Sequence, residues 1–330
     1  MKNKVVRVCL GVIFMCIFTL SIGCTKTNNS SFELHNERLI VWENPDSAWH
    51  ILQQIDPQTL THHEQVIYQL EYQLALSRTQ HTPYYKDTIL NLLPHLIDAD
   101  DLLALGEAYY MLGTSFNHTS DYQSSIFYLK QAEETLETFL ESKKITEQQK
   151  VLANHILGIT WFCLGNTYES EMLYEIAHEY YHKAIPLLEQ HTNTIFLACA
   201  YRDLARTNAL LLGNQDSTKV WFAQAERYVQ QTNNPLLSTE IAAYKYQYCE
   251  TDSIDQRLRA CLTLANKYGI STRYAEIIEI YLNKQNIDSA AYYLEKLTPT
   301  DSTYAYWFEQ NHAYWNSRIL SAQDKNQEAY

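Results

Sequence analysis

One segment of this sequence has the residue types and the spacing that zinc-dependent hydrolysis requires. His178 and His182 lie four residues apart in a stretch that predicts a helix, so both imidazoles would lie on one face. Two imidazoles in this arrangement can bind Zn²⁺, and Glu179 could act as a general base toward a metal-bound water. A zinc metallohydrolase that uses the segment 178–182 is therefore one function that the sequence allows.

The same segment lies within a pattern of large and small residues that predicts helix packing. Gly165 and Ala177 are small enough for two antiparallel helices to approach closely, and Tyr181 would fill the gap between them. Under this interpretation His178 and His182 are side chains of a structural helix, so we predict no enzyme activity, no metal and no cofactor. The full spacing, which resembles the tetratricopeptide repeat, is Trp161-x2-Leu164-Gly165-x2-Tyr168 followed by Ala177-x3-Tyr181-x2-Ala184.

Weaker copies of the repeat lie on both sides of it. The upstream copy keeps the small residue as Gly113, whereas a downstream copy has Ile278 in that position. The extra distance between the first two copies predicts longer helices around Glu133–Gln149. The positions assigned to the copies are Tyr109, Leu112, Gly113, Phe116, Ser125, Leu129 and Ala132, then Phe222 and Ala225, then Tyr274, Ile277, Ile278, Tyr281, Ala290, Leu294 and Leu297.

The fold class that follows is all-α. Only 8 Gly and 7 Pro are present in 330 residues, fewer than a sheet-rich chain of this size needs for its turns. We predict that residues 37–330 form a degenerate tetratricopeptide-like α-solenoid, in which antiparallel helix pairs build a right-handed superhelix. The match is close over residues 100–300 and loose over 37–99.

The N-terminus reads as an export signal. Lys2, Lys4 and Arg7 precede an apolar run, Val8–Ile22, that is short for a membrane span of roughly 20 apolar residues. The run ends at Ser21-Ile22-Gly23-Cys24, which resembles the lipobox of bacterial lipoproteins, although the usual Leu lies three residues before the Cys and here Leu20 lies four before it. We predict a lipoprotein-type signal segment at 1–24, lipid attachment at Cys24 and a flexible tether at 25–36. An uncleaved signal anchor and simple secretion remain the alternatives.

The formal charge of −13 argues against nucleic acid as a partner, because phosphate binding needs a basic stripe. Proteins with this architecture usually bind a peptide in the concave groove that the first helix of each repeat lines. The helical register predicts a polar, acidic groove, which favours a protein or peptide partner that is extended or helical, with basic residues as the complement to the acidic ones. The predicted groove residues are Tyr110, Thr114, Asn117, Phe162, Asn166, Glu169, Asp203, Thr207, Glu279 and Asn283.

The lipobox-like start, the helix opening Asn44-Pro45-Asp46-Ser47-Ala48 and the Tyr-rich repeats together resemble the tetratricopeptide lipoproteins of Bacteroidetes-type bacteria. The resemblance implies a non-catalytic interaction scaffold in the cell envelope, lipid-anchored to a membrane and facing the periplasm or the outside. It also implies an alternative, a glycan-capture lipoprotein, because some polysaccharide-binding lipoproteins of these bacteria have tetratricopeptide scaffolds. The oligomeric state stays open.

Overall fold

The structure, a computed structural model, describes residues 38, 40–80, 84–190, 194–297 and 305–324. Within these ranges the chain forms fourteen α-helices with defined bounds, one short 3₁₀ helix, further helical residues at 38 and 40–43, and connecting turns, as the all-α prediction requires. The predicted signal segment 1–24, with Cys24, and the predicted tether 25–36 lie outside the described residues. None of the described helices is both long and apolar enough to cross a membrane.

Most of the helices follow one another with only short turns between them, which favours antiparallel packing of neighbours. The helices are α1 (Pro45–Leu52), α2 (His62–Gln80), α3 (Lys86–Asp98), α4 (Leu102–His118), α5 (Tyr122–Glu141), α6 (Glu147–Ser170), α7 (Tyr174–Leu188), α8 (Thr194–Leu212), α9 (Gln215–Val229), α10 (Pro235–Tyr248), α11 (Ile254–Lys267), α12 (Arg273–Asn283), α13 (Ile287–Lys296) and α14 (Ala305–Asp324).

The described residues divide into two compact units: those up to 80 with 94–100, and those of 84–93 with 101–324. In the first unit, α1 begins where the sequence predicts: the Asn44 side chain accepts a hydrogen bond from the backbone N–H of Ser47, and Pro45 occupies the first turn. A buried ion pair joins Arg38 to Glu71 of α2 at 2.9 Å.

The second unit consists of helix pairs in which a first helix packs on the second helix that follows it. The first helices are α4, α6, α8, α10 and α12, and the second helices are α5, α7, α9, α11 and α13. Each second helix also packs against the next first helix. The pairs therefore stack in chain order as a tetratricopeptide-like solenoid.

The predicted small residues Gly113 and Gly165 lie at a close approach within the pairs α4–α5 and α6–α7. A Cβ atom added to Gly165 would lie 2.5 Å from Cε1 of Tyr181, and one added to Gly113 would lie 2.5 Å from Cγ of Leu129. Tyr181 and Leu129 are both fully buried. The packing predicted for the best repeat and its upstream copy is thus confirmed, and α5 and α6 are the long helices expected around Glu133–Gln149.

The turn from first to second helix recurs with the same geometry. A residue in the left-handed region follows the first helix in four of these turns, and in three of them the next backbone N–H donates to a carbonyl five residues earlier, as Leu173 does to Tyr168 at 2.9 Å. In three such turns an Asp or Asn then caps the second helix through its side chain. The left-handed residues are Ser120, Met172, Gly213 and Gln285, and the side-chain caps are Asp121, Asn214 and Asn286.

The abundant tyrosines pack mainly within the helix pairs. In three helix pairs, the first helix has two aromatic residues that are seven positions apart. The second helix of the pair has a third aromatic residue, twelve positions after the second one. The later two rings are stacked with their centroids 5.4–5.6 Å apart, which stabilises each pair beyond simple burial. The three sets are Tyr109, Phe116 and Tyr128; Trp161, Tyr168 and Tyr180; and Tyr274, Tyr281 and Tyr293.

Candidate functional site on the first helices

Charged side chains connect consecutive first helices of the second unit. Nη2 of Arg206 on α8 lies 2.6 Å from Oε1 of Glu169 on α6, and the same carboxylate accepts a 2.8 Å hydrogen bond from the hydroxyl of Tyr181. Burial raises the pKa of Glu169, while the Arg206 guanidinium opposes that shift. The pair is largely shielded from water, so it is stronger than an exposed ion pair.

On α8 a second arginine holds the neighbouring carboxylate. Arg202 donates to both oxygens of the buried Asp203 at 2.8 Å, and its Nη1 donates to Glu240 of α10 at 3.0 Å. Arg206 also approaches Asp203, at 3.4 Å. The two arginines, four residues apart on one helix face, therefore link α6, α8 and α10.

Tyr244 of α10 lies between two guanidinium groups. Cζ of Arg206 is 5.0 Å from the centroid of the Tyr244 ring, and Cζ of Arg273 on α12 is 4.6 Å from it. Tyr248, one helical turn further, stacks on Tyr244 with a centroid distance of 6.4 Å. Burial raises the pKa of Tyr248 to about 12, so its hydroxyl stays a hydrogen-bond donor at physiological pH.

The connection extends to α12 and to the last described helix. Arg273 and Arg257 both contact the carboxylate of Glu276. Glu279 accepts from the indole N–H of Trp315 at 2.7 Å and from Arg318 at 2.6 Å, both on α14. We name the central part of this network, on α6 to α12, the arginine ladder: Glu169, Arg202, Asp203, Arg206, Glu240, Tyr244, Arg257, Arg273 and Glu276.

The arginine ladder is electrically balanced, with four carboxylates and four guanidinium groups. The sequence suggested an acidic groove because Glu169, Asp203 and Glu279 fall on first helices in the predicted register. Each of these carboxylates has an arginine partner. The surface therefore presents paired donors and acceptors. Because its charges are balanced, the predicted acidic groove gives no electrostatic reason to favour a basic partner here.

The ten predicted groove residues take different positions. Tyr110, Phe162, Asp203 and Thr207 are buried and support the helix packing. Asn283 is exposed, and the rest are partly buried. The partly buried residues and their contacts are Thr114 with the Tyr110 carbonyl, Asn117 with Thr167, Asn166 with Tyr181, Glu169 with Arg206, and Glu279 with Arg318.

The two histidines of the metal-type motif lie between helices. Nδ1 of His178 is 3.0 Å from Oγ1 of Thr207 on α8, and the rings of His178 and His182 are 4.7 Å apart edge to face. Burial lowers the pKa of both histidines, so both are neutral at pH 7. Glu179 is exposed. No group of three or more His, Cys, Asp or Glu suited to a metal occurs in the part of the chain that the structure describes.

Lys183, the residue after this motif, has a structural role. Its ammonium lies 5.0 Å from the Tyr180 ring centroid and 5.8 Å from that of Trp161, and 3.8 Å from the buried carboxylate of Glu133. Glu133 also accepts a 2.8 Å hydrogen bond from the Trp161 indole. These contacts explain the segment as part of the helix packing.

Sequence reasoning missed the arginine side of the ladder. Arg202, Arg206, Tyr244 and Arg273 were absent from the predicted groove, although the four-residue spacing of Arg202 and Arg206 was visible. Their partners on other helices lie 29 or more residues away in the chain, as Tyr244 does from Arg273 and Glu169 does from Arg206, and such pairings depend on the stacking of the repeats.

The chain resembles known proteins in its fold. No protein-family model and no curated protein matches the chain. Solved structures do: the apo form of RapI has a TM-score of 0.57 at 10% identity and covers 88% of this chain and 99% of its own. Aspartyl phosphate phosphatase F from Bacillus subtilis has a TM-score of 0.56 at 16% identity over 81% of this chain and 67% of its own.

A third structure, the Rap conjugation gene regulator of the plasmid pLS20 in complex with the Phr* peptide, has a TM-score of 0.53 at 13% identity and covers 89% of this chain and 75% of its own. Identities this low support a shared architecture. The described part of this chain accordingly has a tetratricopeptide-like helical-repeat fold similar to these three proteins.

Proposed function

We propose that this chain is a non-catalytic scaffold that binds a peptide or protein partner on the arginine ladder and its surroundings. The observation that carries the proposal is the pair of guanidinium groups on either side of Tyr244, held in place by Glu169, Asp203 and Glu276. Side chains fixed before binding lose little conformational entropy when a ligand arrives, so they suit recognition.

The balanced charge of the ladder fits a peptide backbone, which has both N–H donors and carbonyl acceptors. Partly exposed Arg202, Arg206 and Glu240 provide the complementary groups across neighbouring helices. The similar fold of a regulator whose structure contains a bound peptide supports the same class of partner.

We further propose that a lipid on Cys24 holds the scaffold at a membrane of the cell envelope, facing the periplasm or the outside. The support is the order of Lys2, Lys4 and Arg7, the apolar run Val8–Ile22 and Cys24 in the sequence. A lipid chain tethers a domain without a spanning helix.

Chemical crosslinking in intact cells tests both parts. The wild-type chain and a Cys24→Ala form are each purified after crosslinking, and membrane and soluble fractions are compared. We expect one reproducible protein partner with the wild type, and release of the Cys24→Ala form from the membrane. Recovery of no partner would contradict the scaffold, whereas unchanged membrane retention of the variant would contradict only the anchor.

A further inference from the structure

The turn between α6 and α7 departs from the other turns at both of its key positions. Met172 occupies the left-handed position, with φ of 60°, and Leu173 precedes α7 as an N-cap without a side-chain hydrogen bond. The two side chains are 73% and 43% exposed. The equivalent pairs in three other turns are Ser120 with Asp121, Gly213 with Asn214, and Gln285 with Asn286.

Folding does not account for this choice of residues. A long apolar side chain gains nothing from a left-handed backbone position, and leucine cannot accept the hydrogen bond that Asp or Asn accepts at an N-cap. Both side chains also leave much of their apolar surface in water. Local rules of folding are most often broken where a residue serves binding, so the pair points to a contact with another molecule.

Further apolar side chains lie at the same edge of the solenoid. The contacts between Glu169 and Arg206 and between His178 and Thr207 fix α6 and α7 against α8. Met172 lies three residues beyond Glu169, and Leu210 lies four beyond Arg206, so both lie on the side of this ion pair that faces the turns between first and second helices. Leu210 is 46% exposed and Leu212 is 66% exposed. We name Met172, Leu173, Ile176, Leu210 and Leu212 the turn edge.

The rim of the turn edge is acidic. Glu171, Glu175 and Asp216 are exposed, and none of them forms an ion pair with a residue that the structure describes. Of the exposed cations nearest to them in the chain, Lys183 pairs with Glu133 on α5, which leaves Lys219. Three carboxylates and one ammonium leave a local charge of about −2 around an apolar patch.

We propose that the turn edge is a docking surface for a basic amphipathic helix of a protein partner. The apolar face of such a helix would cover the turn edge, and its Lys and Arg would face the three carboxylates. A second copy of this chain would bring the same carboxylates together, and an anionic membrane would repel them. The surface is separate from the arginine ladder and does not depend on the function proposed for it.

The test uses the full chain in zwitterionic-lipid nanodiscs and, as the probe, a fluorescein-labelled helical peptide of Lys and Leu with one apolar face. Fluorescence anisotropy gives the Kd for the wild type and for Met172→Gly/Leu173→Asn, which installs the pair found at 213 and 214. Empty nanodiscs measure binding to lipid. Ile195→Ser/Leu320→Ser, which removes two similarly exposed apolar side chains elsewhere, is the matched control.

We expect the Met172→Gly/Leu173→Asn form to raise Kd about tenfold or more, as loss of a central apolar contact does. The Ile195→Ser/Leu320→Ser form should bind as the wild type does. Glu171→Gln/Glu175→Gln should raise Kd at low salt, and high salt should shrink the difference. Equal Kd values for the wild type and the turn-edge variant would overturn the proposal.

Two further outcomes would also overturn it. If the wild type self-associates in sedimentation experiments and the turn-edge variant does not, the surface is an interface between copies. If the wild type binds free vesicles of zwitterionic or anionic lipid through the turn edge, the surface contacts lipid. Either result would replace the basic helix as the occupant.

Discussion

Oε1 of Glu169 and Nη2 of Arg206 lie 2.6 Å apart, and this contact joins the first helix of one repeat to the first helix of the next. Arg206 then reaches Tyr244 of the following first helix through its ring face. One arginine thus couples three repeats, α6, α8 and α10, at the surface where we propose that the partner binds.

Removing either member of this pair should destabilise the solenoid. Arg206→Met leaves the largely buried carboxylate of Glu169 without its guanidinium partner, and we expect a loss of about 2–3 kcal/mol in the free energy of unfolding. Glu169→Gln should cost less, because burial already disfavours that charge and Arg206 keeps its contact with Asp203. In the double variant the losses should be smaller than their sum by about 1 kcal/mol, because the two side chains interact directly. Urea unfolding followed by circular dichroism measures all four forms.

The control for that cycle is the exposed pair of Asp255 and Lys284. Lys284→Ala should leave the unfolding free energy nearly unchanged, since solvent screens the interaction. A coupling energy near zero between Glu169 and Arg206 in the double-variant cycle would show that their contact does not hold the repeats together.

Gly165→Ala should be destabilising although alanine favours helices. Its Cβ would lie 2.5 Å from Cε1 of the fully buried Tyr181, and overpacking of this kind costs about 1–3 kcal/mol. Gly158→Ala is the matched control, because its nearest contact is 3.0 Å, to Cβ of Leu187. We expect that variant to stay within about 1 kcal/mol of the wild type, helped by the helix propensity of alanine. Equal melting temperatures for the two variants would contradict the tight packing at Gly165.

Met172→Gly/Leu173→Asn should make the chain more stable. Glycine removes the cost of a side chain in the left-handed region, and asparagine supplies the missing N-cap, for a combined gain of about 1–2 kcal/mol. The reverse exchange, Gly213→Met/Asn214→Leu, should destabilise the chain by a similar amount. Thermal unfolding measures the melting temperature of both forms. If Met172→Gly/Leu173→Asn brought no gain, the native residues at this turn would already be optimal for stability.

The two histidines of α7 predict a pH dependence. Burial lowers the pKa of His178 and His182 below 6.5, so the unfolded chain binds their protons more readily than the folded chain does. Their neutral forms contribute stability that is complete above pH 6.5 and is lost as the pH falls through the lowered pKa values of the folded state. The unfolding free energy of the wild type should therefore fall more steeply between pH 7 and pH 5 than that of His178→Gln/His182→Gln.

The raised pKa of Glu169 acts in the opposite direction, because protonation of that carboxyl favours the folded chain. The comparison between the wild type and the histidine variant removes this contribution, since both contain Glu169. Parallel pH profiles for the two forms would contradict the packing of His178 against Thr207 of α8 and of His182 against Trp221 of α9.

The helix packing could be predicted from the sequence because its signals are local. Gly165 and Tyr181 are sixteen residues apart within one helix pair, and their spacing matches a known repeat. The aromatic spacing of seven and then twelve residues, as in Trp161, Tyr168 and Tyr180, was equally visible and would have indicated the stacked rings.

The binding surface was predicted only in part, because it depends on contacts between repeats. The register placed Glu169 and Asp203 on first helices but gave no sign that Arg206 lies between them. Phe162 was expected in the groove, yet it packs against Phe196 and Tyr181, since the rotation of α6 turns that face inward. A helical pattern predicts on which face of its helix a residue lies. The stacking of the repeats decides which of these faces remain exposed to solvent.

Site-specific photo-crosslinking tests the central claim most directly. A benzophenone side chain replaces Tyr248, which stacks on Tyr244 beside the arginine ladder, or Tyr292, an exposed tyrosine on the second helix α13. Illumination of intact cells should crosslink the partner from position 248 and not from position 292. Crosslinks from position 292 alone, or equal yields from both positions, would contradict binding on the first helices.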